Sequence, residues 1–359
     1  AEVEGNADIN QIIKAVENAG YGASLIEEEK NVYISKGDVY DLVVLGGGSA
    51  GFAAAIKASD LGAKALVIEN NIIGGTCLNR GCVPTKHLID VAKTYYTPKL
   101  NPFKGIELPQ GKIDIKTVIE EKNKLLDELR KEKYWNVLEA YPSIEYKEGK
   151  GEFVKNGVIK VNGEEIRYHK AVITTGSRPS VPPIKGLKNV DFMTNREILN
   201  ITYLPEYLIV IGGSAVGLEI GQIFLRFGSK VTVLEALPDI AFREEPEARQ
   251  VLRNALKKEG MEILTGIRVK EIYQNGKEKS VVIEAEGKEM TIKGTDLLIA
   301  TGRIPNTENI GLENVGVETN ERGFIKTDEF MQTTNPDIYS AGDCVGKMML
   351  VTVAAAEGG

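Results

Sequence analysis

The chain has 359 residues, 42% apolar and 26% charged, so it carries enough hydrophobic material for two or three cores and is neither collagen-like nor disordered. A net charge of -7 gives no basic footprint for nucleic acid or an anionic membrane. Three cysteines, Cys77, Cys82 and Cys344, are too few to staple a secreted protein of this size, which predicts a cytoplasmic protein whose cysteine pair is chemical rather than structural.

In chain order, residues 1–36 open on AEVEGNADIN, with no basic run followed by an apolar one and hence no signal peptide pattern. Ile9, Ile12, Ile13 and Val16 lie at helical spacing and Gly20 is a stop, so a helix is expected, with a strand from Ala23 to Ile26. Leu42 to Leu45 then reads as a buried strand, followed by Gly46-Gly-Gly48-Ser-Ala-Gly51, an Ala-rich helix, and a second strand ending in Glu69. The pattern returns 166 residues later as Leu208 to Ile211, Gly212-Gly-Ser214-Ala-Val-Gly217, a helix, and a strand ending in Glu235. In both copies the acid follows the last glycine by 18 residues, so one βαβ unit is built twice.

The residue types follow from the ligand such a unit takes. A helix N-terminus offers free N–H groups and a positive dipole end to a diphosphate, glycines let the backbone approach it, and an acid ending the next strand can bond ribose hydroxyls. Two dinucleotides are therefore expected. Ser214 stands where the first copy has Gly48, restricting that approach slightly while adding a hydroxyl. The apolar stretch from Tyr207 to Leu225 nears membrane-spanning length, but it holds Glu219 and four glycines and reads as strand, turn and helix.

Between the copies, residues 114–139 read as one charged helix whose apolar stripe is Ile115, Val118, Ile119, Leu125, Leu126, Leu129 and Leu138. Short strands from Ile144 to Ile173 lead to Thr174-Thr175-Gly176, and a similar run from Glu262 to Ile299 leads to Ala300-Thr301-Gly302-Arg303. Each reads as the closing strand and exit loop of a nucleotide-binding domain.

The cysteines stand in Gly74-Gly-Thr76-Cys77-Leu-Asn-Arg-Gly81-Cys82-Val-Pro84-Thr85-Lys86. Zinc asks for closer spacing and a second ligand pair, and His87 and His169 are far apart in sequence. The spacing suits a disulfide or a bound soft ion, and a helix start together with Lys86 favours a thiolate at Cys82.

On GGTCLNRGCVPTK, and on YSAGDC from Tyr339 to Cys344, the sequence resembles the flavoprotein disulfide reductase family from about residue 38 onward. That resemblance implies an α/β fold of two Rossmann-like domains: an FAD-binding domain over 37–188 and 306–359, and an NAD(P)-binding domain over 189–305. It implies that FAD is held by Gly46, Gly48, Gly51, Glu69, Thr76, Lys86, Gly151, Asp343 and Val351. Gly212, Ser214, Gly217 and Glu235 hold the nicotinamide nucleotide, and the exit-loop residues Thr175, Gly176, Gly302 and Arg303 complete the cofactor sites. Glu219 pairs with Lys86 near the nicotinamide, and Cys77 and Cys82 form the redox-active pair.

Within the family the chain is similar to the branch that reduces Hg(II) to Hg(0). The upstream segment resembles the last helix and strand of a ferredoxin-like heavy-metal-associated domain, the second turn has the GxSxxG form, and Tyr134 lies on a segment implied to position Hg(II). Hg(II) would arrive as thiol complexes and be held by Cys77 and Cys82 after electrons pass from NAD(P)H through FAD. Glu235, followed by Ala236-Leu237-Pro238-Asp239 with no adjacent cation, favours NADH. The last FAD-domain helix is expected to be running at Ala354 to Gly359, so an interface domain and a homodimer are expected of a longer protein. The alternatives are dihydrolipoamide dehydrogenase and a non-catalytic metal-sequestering protein.

Overall fold

The structure is a computed structural model that describes residues 39–103, 105–109 and 111–359. The expected helix and strand before residue 37, with their heavy-metal-domain resemblance, lie outside the described residues.

Strand Val39–Leu45 is the axis of the first sheet. Ala65–Glu69 and Glu164–Ile173 flank it in parallel, and Ile144–Glu148 lies beyond Ala65–Glu69. Val43, Val44, Ala65 and Val67 are fully buried because helices or strands cover both faces, which is why these strands read as continuous apolar runs. The long strand Glu164–Ile173 serves two partners on its other edge. Its first half pairs antiparallel with Val158–Val161, which pairs in turn with Gly151–Lys155, and its second half pairs in parallel with Ile338–Ser340.

The second sheet repeats the plan. Tyr207–Ile211 lies between Lys230–Glu235 and Asp296–Ile299, with Glu262–Thr265 outside, all parallel. An antiparallel meander, Arg268–Asn275, Glu278–Ala285 and Lys288–Gly294, packs on one face through Ile272, Val281 and Ile283. The repeat in sequence is thus a repeat of architecture, two Rossmann-like units of the expected α/β class. Their exit segments, Ser177–Pro179 and Arg303–Pro305, pair antiparallel. Residues 207–225 form strand Tyr207–Ile211 and the start of helix Ala215–Phe227, and among the described residues no helix is long and apolar enough to cross a membrane.

Two helices from the first half of the chain pack on the second unit. Leu88 and Ala92 of helix Cys82–Tyr96, with Ile115 and Ile119 of helix Ile115–Arg130, share a core with Leu218, Phe224 and Phe227. The segment expected as one helix over 114–139 is broken: helix Ile115–Arg130 is followed by a π turn, Lys131–Trp135, and a short helix, Asn136–Ala140. Its buried stripe contains a charge. Lys122 is 1% exposed, and its Nζ donates to Leu199 O at 2.5 Å and Asn200 Oδ1 at 2.9 Å, while burial draws its pKa down to about 8.

Candidate active site

The two glycine turns are built alike. Gly46 has φ +124° and Gly212 φ +115°, and a Cβ on either would lie 2.3 Å from Thr174 O or 2.2 Å from Ala300 O, the backbone leaving the neighbouring strand. A Cβ on Gly51 or Gly217 would lie 2.0 Å from the carbonyl oxygen of Gly46 or Gly212. Only glycine fits these four positions. Gly48 is different: a Cβ there would be 3.6 Å from the nearest atom, Gly75 Cα, and Ser214 at the matching position is exposed and makes no capping bond.

The acids are oriented by their own turns. Glu69 Oε2 accepts from Gly47 N at 2.7 Å and Oε1 from Asn71 N at 2.8 Å. Glu235 repeats this with Gly213 N at 2.5 Å and Leu237 N at 2.8 Å, and it is 8% exposed.

A cleft of about 370 Å³ lies along the first turn, and Gly46, Glu69, Thr76, Gly151 and Thr175 are among its lining residues. A Cβ on Gly151 would meet Leu45 Cδ1 at 2.4 Å, so the floor there stays flat. Thr175 Oγ1 is buried beside the Cys344 thiol and makes no oxygen or nitrogen hydrogen bond among the described residues. A glycine cradle and an acid for ribose fit the adenosine diphosphate part of FAD. Next to the cleft, Asp343 accepts from Ser177 Oγ at 2.5 Å, and Arg303 Nε donates to the same hydroxyl at 2.6 Å. Arg303 also donates to Ser177 O at 2.8 Å and approaches Thr76 Oγ1 at 3.5 Å, so a side chain from the second exit loop is built into the first unit. Gly176 and Gly302 take positive φ on the two exit loops. Val351 is exposed at the start of helix Val351–Gly358, outside the lining of the cleft, and that helix packs on Ser49–Asp60 through Ala50 and Ala354.

Cys77 lies on helix Gly75–Arg80, which breaks at Gly81 before Cys82 opens helix Cys82–Tyr96. A Cβ on Gly81 would be 3.0 Å from Thr76 O and 3.3 Å from Cys77 Cα, so the break folds the second helix start onto the first. Both thiols are free. The Cys77 hydrogen bond, then the Cys82 backbone N–H and Lys86, draw the Cys82 pKa down to about 6 against burial and Glu219. The same bond to Cys82, with burial, pushes Cys77 up. The opposite directions make Cys77 the member that keeps its proton and Cys82 the member that favours the thiolate.

Two asparagines hold this segment, and neither is singled out by the sequence reading. Asn79 donates to Ile73 O and Gly75 O, both at 2.9 Å, and accepts from Arg130 Nε at 3.1 Å. Asn195 donates to Arg80 O at 2.6 Å, satisfying a carbonyl that the helix break at Gly81 leaves free. Asn195 follows Met193, which pairs with Leu297 and Ile299 on the edge of the second sheet. Its one legible signal is the capping box of Thr194 and Glu197 around it.

Lys86 and Glu219 form the expected ion pair, joining the cysteine helix to helix Ala215–Phe227. Both are partly exposed, so the pair adds little stability, and its effect falls on Cys82. Lys86→Met is expected to raise the pH midpoint of Cys82 alkylation and Glu219→Gln to lower it, as the opposite influences of the two charges require. Shifts of the same sign in iodoacetamide rate profiles would overturn that account.

Tyr134 stands on the π turn, packs edge-on against Phe52 at 4.7 Å and donates to Gly74 O at 3.3 Å. It is thus anchored at the start of the cysteine segment, and burial raises its pKa.

Two dinucleotide turns with a thiol and thiolate pair between them define a nucleotide-dependent thiol oxidoreductase. Residues 40–358 match the pyridine nucleotide-disulphide oxidoreductase family, and the chain belongs to it. It is 36% identical over 361 residues to a mercuric reductase of Lysinibacillus sphaericus, spanning 100% of this chain and 66% of that protein. For a mercuric reductase of Staphylococcus aureus the figures are 37%, 98% and 65%. A dihydrolipoyl dehydrogenase of Acholeplasma laidlawii is 35% identical over 89% of this chain and 94% of that one. Among solved structures, the HOCl-induced flavoprotein disulfide reductase RclA from Escherichia coli is similar with a TM-score of 0.79 and 31% identity, over 89% of this chain and 69% of that chain. The chain therefore spans just under two thirds of the length of these mercuric reductases. The family is FAD-dependent and takes its electrons from NAD(P)H.

Proposed function

We propose that the protein to which this chain belongs reduces Hg(II) to Hg(0) with NADH, releasing NAD⁺ and a proton. The observation that carries the reading is the Cys77 and Cys82 pair of free thiols on two consecutive helices, where Cys82 opens its helix and the Cys77 hydrogen bond and Lys86 favour its thiolate. Soft thiolate sulfur binds a soft cation such as Hg(II) in preference to the hard ions that carboxylates select. Cys77, carrying the proton, exchanges with the thiol ligand that brings the metal, and Cys82 faces the flavin. When bound, FAD supplies the two-electron relay between nicotinamide and the thiol site. Gly46, Gly51 and Glu69 hold it, with Asp343, Ser177 and Arg303 beside the cleft, while Gly212, Gly217 and Glu235 hold the nicotinamide nucleotide. Lys86 and Glu219 fix the cysteine helix against the second unit, and Tyr134 supports the segment that carries Cys77. In this reading the FAD domain comprises 37–188 and 306–359, the nicotinamide domain 189–305, and the working form is a cytoplasmic homodimer. The test is Hg(II)-dependent NADH oxidation by the full-length protein and its loss in Cys82→Ala. Turnover with dihydrolipoamide and none with Hg(II) would instead support dithiol chemistry, which the dihydrolipoyl dehydrogenase relative keeps in view.

The preference for NADH rests on Glu235 and on what surrounds it. Arg253 is paired with Asp239 and Arg249 lies 4.0 Å from the same carboxylate, so these two guanidiniums are already engaged, which leaves Arg243, eight positions past Glu235, as the near cation in the sequence. A 2′-phosphate beside Glu235 would put like charges together in a shielded site. We expect kcat/KM to favour NADH by about tenfold or more, and Glu235→Ala to narrow the gap. NADPH as the better donor of the unmodified protein would show that Glu235 does not face the ribose.

A further inference from the structure

Arg80, Arg178 and Arg196 line the first cleft together, and Arg303 lies near enough for its charge and that of Arg196 to oppose each other. Arg178 is paired with Glu308 at 2.6 Å and donates to Pro305 O at 2.8 Å, and Arg303 lies 3.5 Å from the Asp343 carboxylate. The other two form no ion pair among the described residues. Among the described residues the Arg80 side chain donates only to the neutral Asn71 Oδ1, at 2.9 Å. The Arg196 guanidinium makes no side-chain hydrogen bond or ion pair among the described residues. The adjacent acid, Glu197, is turned back onto Thr194, accepting from its N at 2.7 Å and its Oγ1 at 2.6 Å. Glu69, the remaining carboxylate of the lining, is occupied by two backbone N–H groups. Burial, then the charges of Arg80 and Arg178, pull Arg196 below its ordinary pKa and outweigh the opposing charge of Glu197, the mark of guanidiniums gathered in one cleft.

We propose that Arg80 and Arg196 hold the diphosphate of FAD, adding two full charges to the partial charge that the Gly46 turn offers. This rests on the FAD reading above. A dinucleotide diphosphate carries two negative charges, which matches the two guanidiniums left over, and the planar guanidinium fork suits phosphate oxygens. The glycine turn alone supplies about half a charge. Neither arginine belongs to the repeated βαβ pattern, since one lies between the cysteines and the other in the connection to the second unit.

The test is FAD binding to apoprotein prepared from the full-length protein, followed by flavin fluorescence at several NaCl concentrations. The variants are Arg80→Met, Arg196→Met and Arg196→Lys; methionine keeps most of the length and removes the charge. Each methionine variant is expected to weaken FAD binding about tenfold and to flatten its salt dependence, with Arg196→Lys, which keeps the charge and loses the fork, between the parent and Arg196→Met. FAD affinity unchanged in both methionine variants, or equal losses in Arg196→Lys and Arg196→Met, overturns the assignment while leaving the FAD reading intact. A parent that takes up no FAD overturns the FAD reading, and this assignment with it.

Discussion

Alkylation of Cys82 is expected to follow a pH midpoint near 6, against the ordinary thiol value of 9.0. The leading cause is the hydrogen bond from Cys77, so Cys77→Ala removes the donor that stabilises the thiolate and should return the midpoint most of the way to an unperturbed thiol. At pH 7 the Cys82 rate should then fall by about tenfold or more, because most of the sulfur becomes protonated. Mass spectrometric alkylation profiles of both proteins measure this directly. A midpoint near 9 with Cys77 present, or faster labelling of Cys77, would reverse the roles of the pair. The sign carries over to stability. Cys82 taken alone, with its pKa depressed by folding, stabilises the fold fully above its unfolded value, here 9.0, and that contribution is lost as pH falls through about 6, while the raised Cys77 acts in the opposite sense as pH climbs past 9.0.

The second large effect is expected from Gly212→Ala and Gly46→Ala. In both, φ is far into the positive region and the added methyl would collide with backbone oxygen at 2.2 or 2.3 Å, which no side-chain rearrangement can relieve. We expect a loss of about 3–5 kcal/mol for each, or failure to accumulate folded protein. Gly62→Ala is the control. Its φ of +82° is also left-handed, but nothing lies within 4 Å of the new Cβ, so about 1 kcal/mol of backbone strain is the whole cost. Denaturant midpoints for the three variants should separate Gly62→Ala from the other two. Equal losses would mean that backbone conformation alone, and not the crossing strand, demands glycine at the turns.

The doubled glycine turn is legible in sequence because its glycines and its acid recur at fixed local spacing, from Gly46 to Glu69 and from Gly212 to Glu235, whereas the strand oxygens that also demand glycine there, Thr174 O and Ala300 O, lie far along the chain. The cysteine pair is legible for the same reason. The pairing of Lys86 with Glu219 comes only through the family resemblance, since 133 residues separate the partners. Arg303 reaches Thr76 across 227 residues, and nothing in the TGR wording announces that it enters the other unit. Lys122 sits at helical spacing with Ile115, Ile119 and Leu126, yet reads as one more solvent charge because its acceptors, Leu199 O and Asn200 Oδ1, belong to a later segment. The π turn at Lys131–Trp135 has no breaker residue to mark it. The two uncompensated arginines of the cleft emerge only when every nearby carboxylate has been assigned a partner.

The antiparallel pairing of Ser177–Pro179 with Arg303–Pro305 has a consequence for how such a chain is assembled. The polypeptide departs for the second sheet and comes back at neighbouring positions, about 5 Å apart across one strand spacing. Topologically the intervening stretch is a cassette: a turn of a few residues would close the gap without altering the strand order of the first sheet. Energetically it is not detachable, because Leu88, Ala92, Ile115 and Ile119 would lose the apolar surface of Phe224 and Phe227 that covers them. The two units are thus joined through two adjacent chain crossings yet stabilised as one body by a shared core.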